Sequence, residues 1–378
     1  MRIGIDGRIF LKHQSGIVRY ATELTKNLLR IDLNNRYLIY VPSGSEYDNK
    51  KRISVIHSLI GPEKRYRIRL VRLKPLLWRT VLFTKILDKE VDVFHGMAYI
   101  LPFVPKSMRK VKFISSFHGL QAVLVPDLPF KERLYWIPNL LMSTIFADRI
   151  VSVSENLKEE INRKYRYPLN NIDVTYAGIS SSFFVDGKCI GKKAENALKK
   201  YGAVIKSYIF YSGAGNLPQK NVKTILEAAK ILEHRYNFKP QFLISRTDLT
   251  RYRDYPPNVK GIEWIDESDL PCLYAHAAIN IYASYCEGFG SPIIEARAAG
   301  SPVIASGISA MTEAAQGKAL LVKDPLSADE WARKIYSLYN NKALQSRLAR
   351  NGRDGLEDFS WENVARKTLI SYKKAYGE

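Results

Sequence analysis

At 378 residues the chain is long enough for two domains of ordinary size, and 46% hydrophobic content supports packed cores rather than disorder. No stretch approaches the roughly 20 apolar residues of a membrane span, and the start MRIGIDGR reads as a strand rather than a signal peptide. The charge is less ordinary: 58 bases against 37 acids give a formal +21, beyond what solubility requires.

Strand and helix patterns alternate from the first residue onward, which argues for an α/β chain with parallel sheets covered on both faces. Residues 1–6, 37–41, 68–73, 92–95, 112–117, 150–154 and 173–176 read as strands, with helices at 18–31, 78–89, 131–146 and 156–165. Between Lys50 and Arg79 ten bases face a single acid, Glu63, with Leu76, Leu77 and Trp78 among them. Bases beside apolar side chains suit an anionic membrane surface, at ~1 kcal/mol per base; a solvated basic face or a nucleic-acid patch is the plainer alternative. The helix at 131–146 could dip into lipid, but a buried helix is the better reading.

Patterning lapses at 178–201, a stretch with a serine triplet and Lys192-Lys193, and the domain boundary is placed at 185/186 within it. A second alternation follows, with strands at 208–213, 241–245, 280–283 and 303–306, a helix at 222–233 and a closing helix at 361–376. Cys189, Cys272 and Cys286 are scattered, odd in number and without metal spacing, which fits a reducing cytoplasm.

The most informative run is Glu287-Gly-Phe-Gly-Ser-Pro-Ile-Ile-Glu295. It lies between a strand pattern and a helix that reads as capped by Ser291, with Pro292 next and Gly300 past its end. Gly288, Phe289, Gly290 and Ser291 would bring backbone N–H groups and the helix dipole to a phosphate. Glu295 falls one turn into the helix on the face of Ser291, suited to a ribose diol, and Glu287 in the loop to sugar hydroxyls. The loop after 208–213 carries Gly213 and Lys220, a basic group for the same diphosphate. In the first half, Gly16 opens a helix as a phosphate-approach residue. His118 ends a strand, where open α/β sheets place ligands, and His95, also at a strand end, is the weaker candidate.

The Glu287–Glu295 spacing resembles the E-x7-E signature of the family 4 retaining glycosyltransferases, which have the GT-B fold. Gly261-Ile-Glu-Trp-Ile-Asp-Glu-Ser-Asp-Leu270, Leu273-Tyr274, Gly300-Ser-Pro-Val-Ile-Ala-Ser306, Ala319-Leu-Leu-Val322 and Phe359-Ser-Trp361 are similar to that family's donor domain, in order. Ser15-Gly-Ile-Val-Arg-Tyr20, Asp92-Val-Phe-His95, Phe117-His118 and Val151-Ser-Val-Ser-Glu155 look like its acceptor domain.

The resemblance implies two Rossmann-like domains facing across a cleft. Residues 1–185 would bind the acceptor, 186–360 the nucleotide-sugar, and 361–378 would form a helix packing back on the first domain. It implies catalytic roles for His118, Lys220 and Glu287. Donor contacts would come from Gly16, Gly213, Lys220, Arg246, Glu287, Gly288, Phe289, Gly290, Ser291 and Glu295. The arginine expected beside Lys220 is missing, with Ala214 and Gln219 in the likeliest positions, and Arg246 is a substitute.

The activity implied is retaining transfer of a hexose without a metal, since no Asp-x-Asp motif accompanies these residues, and no cofactor is expected. The SGIVRY and QKN variants look most like mannosyl- and rhamnosyl-type members of the family, which tilts the donor towards GDP-mannose. The acceptor would be a glycan or lipid-linked sugar in surface polysaccharide assembly, met in the cytoplasm at the inner face of the membrane. A glycoside hydrolase using the paired glutamates and a basic nucleic-acid-binding α/β protein are the alternatives; nucleic acid is not the expected partner.

Overall fold

The computed structural model describes residues 1–378 apart from Gln14, 186–188, Ile190 and Ala214. It divides into two compact units. One holds Met1–Val123, Pro129–Gly178 and Phe359–Glu378, and the other holds Leu124–Leu128 and Ile179–Asp358. Both are α/β units of the Rossmann-like kind, each built on a single all-parallel sheet.

The strands of the first unit are β1 (Arg2–Asp6), β2 (Arg36–Pro42), β3 (Tyr66–Val71), β4 (Val93–Gly96), β5 (Lys112–Phe117), β6 (Arg149–Ser152) and β7 (Ile172–Val174), ordered β3-β2-β1-β4-β5-β6-β7. Ile3, Ile5, Ile39, Val93, Phe94, Phe113 and Ile114 are fully buried, as strands covered on both faces require. A Cβ at Gly4 would come 2.9 Å from Tyr40 and 3.1 Å from Phe94, so a side chain there would push these buried rings aside. The helix Gly16–Ile31 starts where Ser15 Oγ accepts from Val18 N, and it buries Val18, Ala21, Leu24 and Leu28 at helical spacing.

The closing helix Trp361–Tyr376 packs against Gly16–Ile31 and buries Trp361, Val364, Ala365, Thr368 and Tyr372. Its Trp361 indole fills the space beside Gly178, where a Cβ would lie 2.2 Å from the ring.

The second unit has β8 (Tyr208–Tyr211), β9 (Gln241–Ser245), β10 (Val259–Ile262), β11 (Ile279–Tyr282), β12 (Val303–Ser306) and β13 (Leu320–Val322), ordered β10-β9-β8-β11-β12-β13. The 178–201 stretch holds a helix, Lys192–Tyr201, whose buried face is Ala194, Ala197, Leu198 and Tyr201. The cysteines are not all scattered. Cys189 and Cys272 are joined by a disulfide with a Cα–Cα distance of 5.3 Å, so the cysteine pattern no longer argues for a reducing compartment.

The expectation that 131–146 is a buried helix needs correction. Helix Phe130–Phe146 buries Asn139, Leu140, Ser143 and Thr144, yet Phe130, Leu134, Leu141 and Ile145 lie along one exposed stripe. No helix among the described residues is long and apolar enough to cross a membrane.

Candidate active site

Open parallel sheets bind ligands beyond the carboxyl ends of the strands, where the strand order reverses. In the second unit that point falls between β8 and β11, which pair directly through Tyr211 and Ile281. The loop after β8 ends in the turn Pro218–Lys220, closed by Asn221 at φ 58. The Asn221 side chain anchors it by donating to Ala283 O (3.2 Å) and Pro325 O (2.7 Å).

Lys220 is therefore not a solvated loop lysine. It is 9% exposed, its Nζ donates to the Tyr282 hydroxyl at 2.9 Å, and it is ion-paired with Glu287 from the loop after β11. The Glu287 carbonyl accepts from Ser309 Oγ at 3.1 Å. Burial and the Glu287 charge raise the Tyr282 phenol well above its ordinary pKa, so it stays protonated.

Helix Ser291–Ala298 begins differently from the expectation. Its cap is Gly290 at φ 117, and Ser291 is the first helical residue, with no cap bond from the Gly290 position. Positive φ is what glycine supplies here, and a Cβ would also lie 3.2 Å from Ile293. Phe289 is buried. One turn in, Glu295 is 6% exposed, and its Oε2 accepts from the Tyr274 hydroxyl at 3.0 Å. That phenol also lies 2.6 Å from Ser212 Oγ, just past β8. Burial and the Glu295 charge keep Tyr274 protonated and able to donate.

The other residues expected at the donor are more dispersed. Gly213 N donates to Ser245 Oγ at 2.8 Å, fixing the loop after β8 to the end of β9. Arg246 has φ 50 and is exposed, and its guanidinium lies 5.1 Å from the centre of the Trp264 ring rather than in the Lys220–Glu287 pair. Of the two positions that lack the expected arginine, Ala214 lies outside the described residues. Gln219 is buried, and its Oε1 has no partner among the described residues.

Tyr274, Tyr282 and Arg297 escaped the sequence reading of the site. Arg297 is fully buried and donates to Gly352 O, Ala314 O, Gln316 Oε1 and Asp354 O, at 2.6–2.9 Å. It pins the far half of the helix that carries Glu295.

In the first unit the reversal falls between β1 and β4. His118 follows β5, and its Nε2 lies 2.8 Å from Met97 O. A carbonyl only accepts, so Nε2 carries the proton and Nδ1 keeps a lone pair. Burial lowers the His118 pKa to about 4, which leaves it neutral at pH 7. His95 is a core residue, bonded at 2.8 Å to Tyr372 Oη and to Ser116 Oγ, with its pKa lowered to about 3 by burial. Gly16 is the first residue of its helix, and a Cβ there would meet nothing within 4 Å. Packing inside the fold does not demand that glycine.

Residues 194–355 match the family model of glycosyl transferases group 1, and residues 14–183 match that of Glycosyltransferase Family 4. The chain belongs to the family 4 glycosyltransferases. This glycosyltransferase is 25% identical to O-antigen chain mannosyltransferase B of Escherichia coli, over 95% of this chain and 96% of that one. It is 26% identical to the O-antigen chain mannosyltransferase RfbU of Salmonella typhimurium, over 71% and 72% of the two chains. Its fold is GT-B. The lipopolysaccharide glycosyltransferase WaaG superposes with a TM-score of 0.69 at 12% identity, over all of both chains. HepE of Anabaena, in complex with UDP-glucose, gives 0.68 at 14% identity over 99% of both.

Proposed function

We propose that this glycosyltransferase moves a hexose, with retention, from a nucleotide diphosphate-sugar to a lipid-linked glycan in O-antigen-type polysaccharide assembly. GDP-mannose is the favoured donor, in keeping with the two mannosyltransferase relatives. The observation that carries the reading is the buried Lys220–Glu287 pair at the β8/β11 switch point, together with the buried Glu295 on helix Ser291–Ala298.

Each residue then has a task. The Lys220 ammonium and the backbone N–H groups from Gly288 to Ser291 take the diphosphate, where negative charge grows as the anomeric C–O bond breaks. Glu295, aimed by Tyr274, accepts from the ribose hydroxyls, and Glu287 accepts from the hexose. Gly213 leaves the diphosphate room to approach, Phe289 fixes the loop, and Arg246 with Trp264 flanks the nucleobase. In the first unit Gly16 allows close approach of a phosphate, and His118 accepts from a sugar hydroxyl through Nδ1. The acceptor oxygen bonds to the anomeric carbon on the face the diphosphate leaves, and its proton passes to the departing phosphate. Lys220 and the helix start carry the charge compensation, so no divalent ion is required. The exposed stripe on Phe130–Phe146 and the bases between Lys50 and Arg79 support peripheral contact with an anionic inner membrane.

A thermal-shift panel of GDP, UDP, ADP and dTDP with their sugar conjugates, with and without magnesium, tests the donor. One nucleotide series should stabilise the wild type without metal and fail on Lys220→Ala. The anomeric configuration of the product, read by NMR, tests retention. Stabilisation by none of the series, or an inverted product, overturns the reading.

A further inference from the structure

We propose that the first unit holds a second anion site, distinct from Lys220, which takes the phosphate group of the acceptor. The proposal rests on the reading of the chain as a transferase to a lipid-linked acceptor and names the group by which that acceptor is held.

The place is the first unit's own switch point. Strands β1 and β4 lie side by side, with Ile5 opposite His95, so their carboxyl ends open together. A cavity of about 210 Å³ lies there, lined in part by Asp6, Arg8, Lys12, Arg79, Met97 and Tyr135. Three of these are bases and one is an acid. The acid is already committed. Asp6 is buried and holds Arg8 with both oxygens, at 2.8 Å from Nε and 2.6 Å from Nη2.

Lys12 and Arg79 have no such partner. Each faces an aromatic ring, Lys12 Nζ at 5.8 Å from the centre of Trp136 and Arg79 Cζ at 5.5 Å from that of Phe103. Neither makes an ion pair among the described residues. Two cations without a carboxylate partner thus line one concave site, where an anion between them would be attracted by both. Their joint charge matches a phosphate, which an arginine fork and a lysine bind with charge-assisted hydrogen bonds. The Tyr135 hydroxyl adds a neutral donor.

Two further features point to the phosphate of an amphiphile. Arg79 ends the turn Pro75–Arg79, whose Leu76 is 81% exposed, and Tyr135 adjoins Leu134, 64% exposed on the apolar stripe. The cavity is thus flanked in sequence by apolar side chains that a lipid tail can lie along. On its inner side Met97 lines the cavity and its carbonyl holds the His118 ring. A phosphate held there brings the attached sugar to the strand ends that carry His118.

The test is isothermal titration of the full chain with decyl phosphate below its micelle concentration, with inorganic phosphate, and with phosphatidylglycerol vesicles. Wild type and Lys220→Ala should bind decyl phosphate alike, and the Lys12→Gln/Arg79→Gln double variant about tenfold or more weaker. Each single substitution should fall between. Lys12 is exposed and Arg79 half-buried, so an unchanged unfolding midpoint is expected and checks the variant's fold. Inorganic phosphate binding with the same variant dependence supports the site and assigns it to a free phosphate; decyl phosphate alone assigns it to a lipid phosphate. Wild-type affinity in the double variant overturns the proposal. So does loss of decyl phosphate binding in Lys220→Ala, binding of vesicles only, or no binding at all. Nucleotide affinity, measured separately on Lys220→Ala, keeps a failure of the donor reading distinct from a failure of this one.

Discussion

The Lys220 ammonium is ion-paired with the Glu287 carboxylate, and Tyr282 completes the cluster from the end of β11. Both charged side chains are nearly buried, at 11% and 12% exposure. A lysine so engaged meets a diphosphate only by giving up part of its hold on the carboxylate. On the proposed donor site the pair would work as an exchange, in which the phosphate takes Lys220 and Glu287 turns to the sugar.

Glu287→Gln separates the two halves of that exchange. Removing the competing charge should tighten binding of the bare nucleoside diphosphate several-fold, on the order of 1 kcal/mol. If Glu287 accepts from the hexose as proposed, the sugar conjugate should gain less or lose affinity, because that charged acceptor is gone. Titrating GDP and GDP-mannose into wild type and variant checks this. Equal changes for the two ligands would undo the division of roles.

Tyr274→Phe removes one hydroxyl and keeps the ring. The Glu295 carboxylate loses the donor at 3.0 Å that orients it, while the aromatic contacts of Tyr274 with Phe183 and Phe210 remain. Nucleotide affinity should fall about tenfold, the cost of a hydrogen bond to a charged group. KM for the donor should rise with kcat nearly unchanged, since the proposed ribose contact of Glu295 would be uniform binding. A kcat loss with unaltered KM would assign Tyr274 to the chemical step instead.

What was legible in the chain follows from how local each signal is. Strands β5, β9 and β12 and the helix Trp361–Tyr376 fall at the residues expected, because their apolar runs are bounded by turn or cap residues. β10 and β13 went unseen, because Lys260 and Gly261 interrupt the apolar run of Val259–Ile262 and Leu320–Val322 is too short to show an alternation. Helix Glu46–Ile60 buries only Ile56 and Ile60, so no apolar stripe announces it despite its Ser45–Asp48 capping box. At the site, the spacing of Glu287 and Glu295 is local and readable. The partners of those carboxylates are not. Tyr274 stands out only in the Leu273-Tyr274 resemblance and Tyr282 only within a strand pattern, and only the fold brings Tyr274 from 21 residues upstream to Glu295.

Acid should destabilise this protein earlier than its carboxylates alone would dictate. Burial lowers the His118 pKa to about 4 and the His95 pKa to about 3, from an unfolded value near 6.5. Below pH 6.5 the unfolded chain takes up protons that the folded chain refuses. Stability is therefore fully present above pH 6.5 and falls as pH drops towards 4, by up to about 1.4 kcal/mol per pH unit for each histidine. Urea unfolding midpoints between pH 7.5 and 4.5 should show that slope, and His95→Gln/His118→Gln should flatten it. Parallel curves for the two proteins would mean that other groups set the acid limb.

The proposed membrane contact, if made through Phe130–Phe146, carries a prediction that charge alone does not. Phe130, Leu134, Leu141 and Ile145 share one exposed face, so inserting them adds hydrophobic burial to electrostatic attraction. An exposed basic edge would bind anionic vesicles too, and β3, with Arg67 and Arg69, is such an edge strand. The two contributions differ in their response to salt. Binding by bases alone vanishes as ionic strength rises, whereas an inserted stripe leaves a salt-resistant remainder. Flotation on phosphatidylglycerol vesicles in high salt should retain the wild type. Phe130→Ser/Leu134→Ser should lose that remainder while keeping its low-salt binding. If both proteins dissociate at the same salt concentration, the helix does not enter the bilayer and the bases alone hold the protein there.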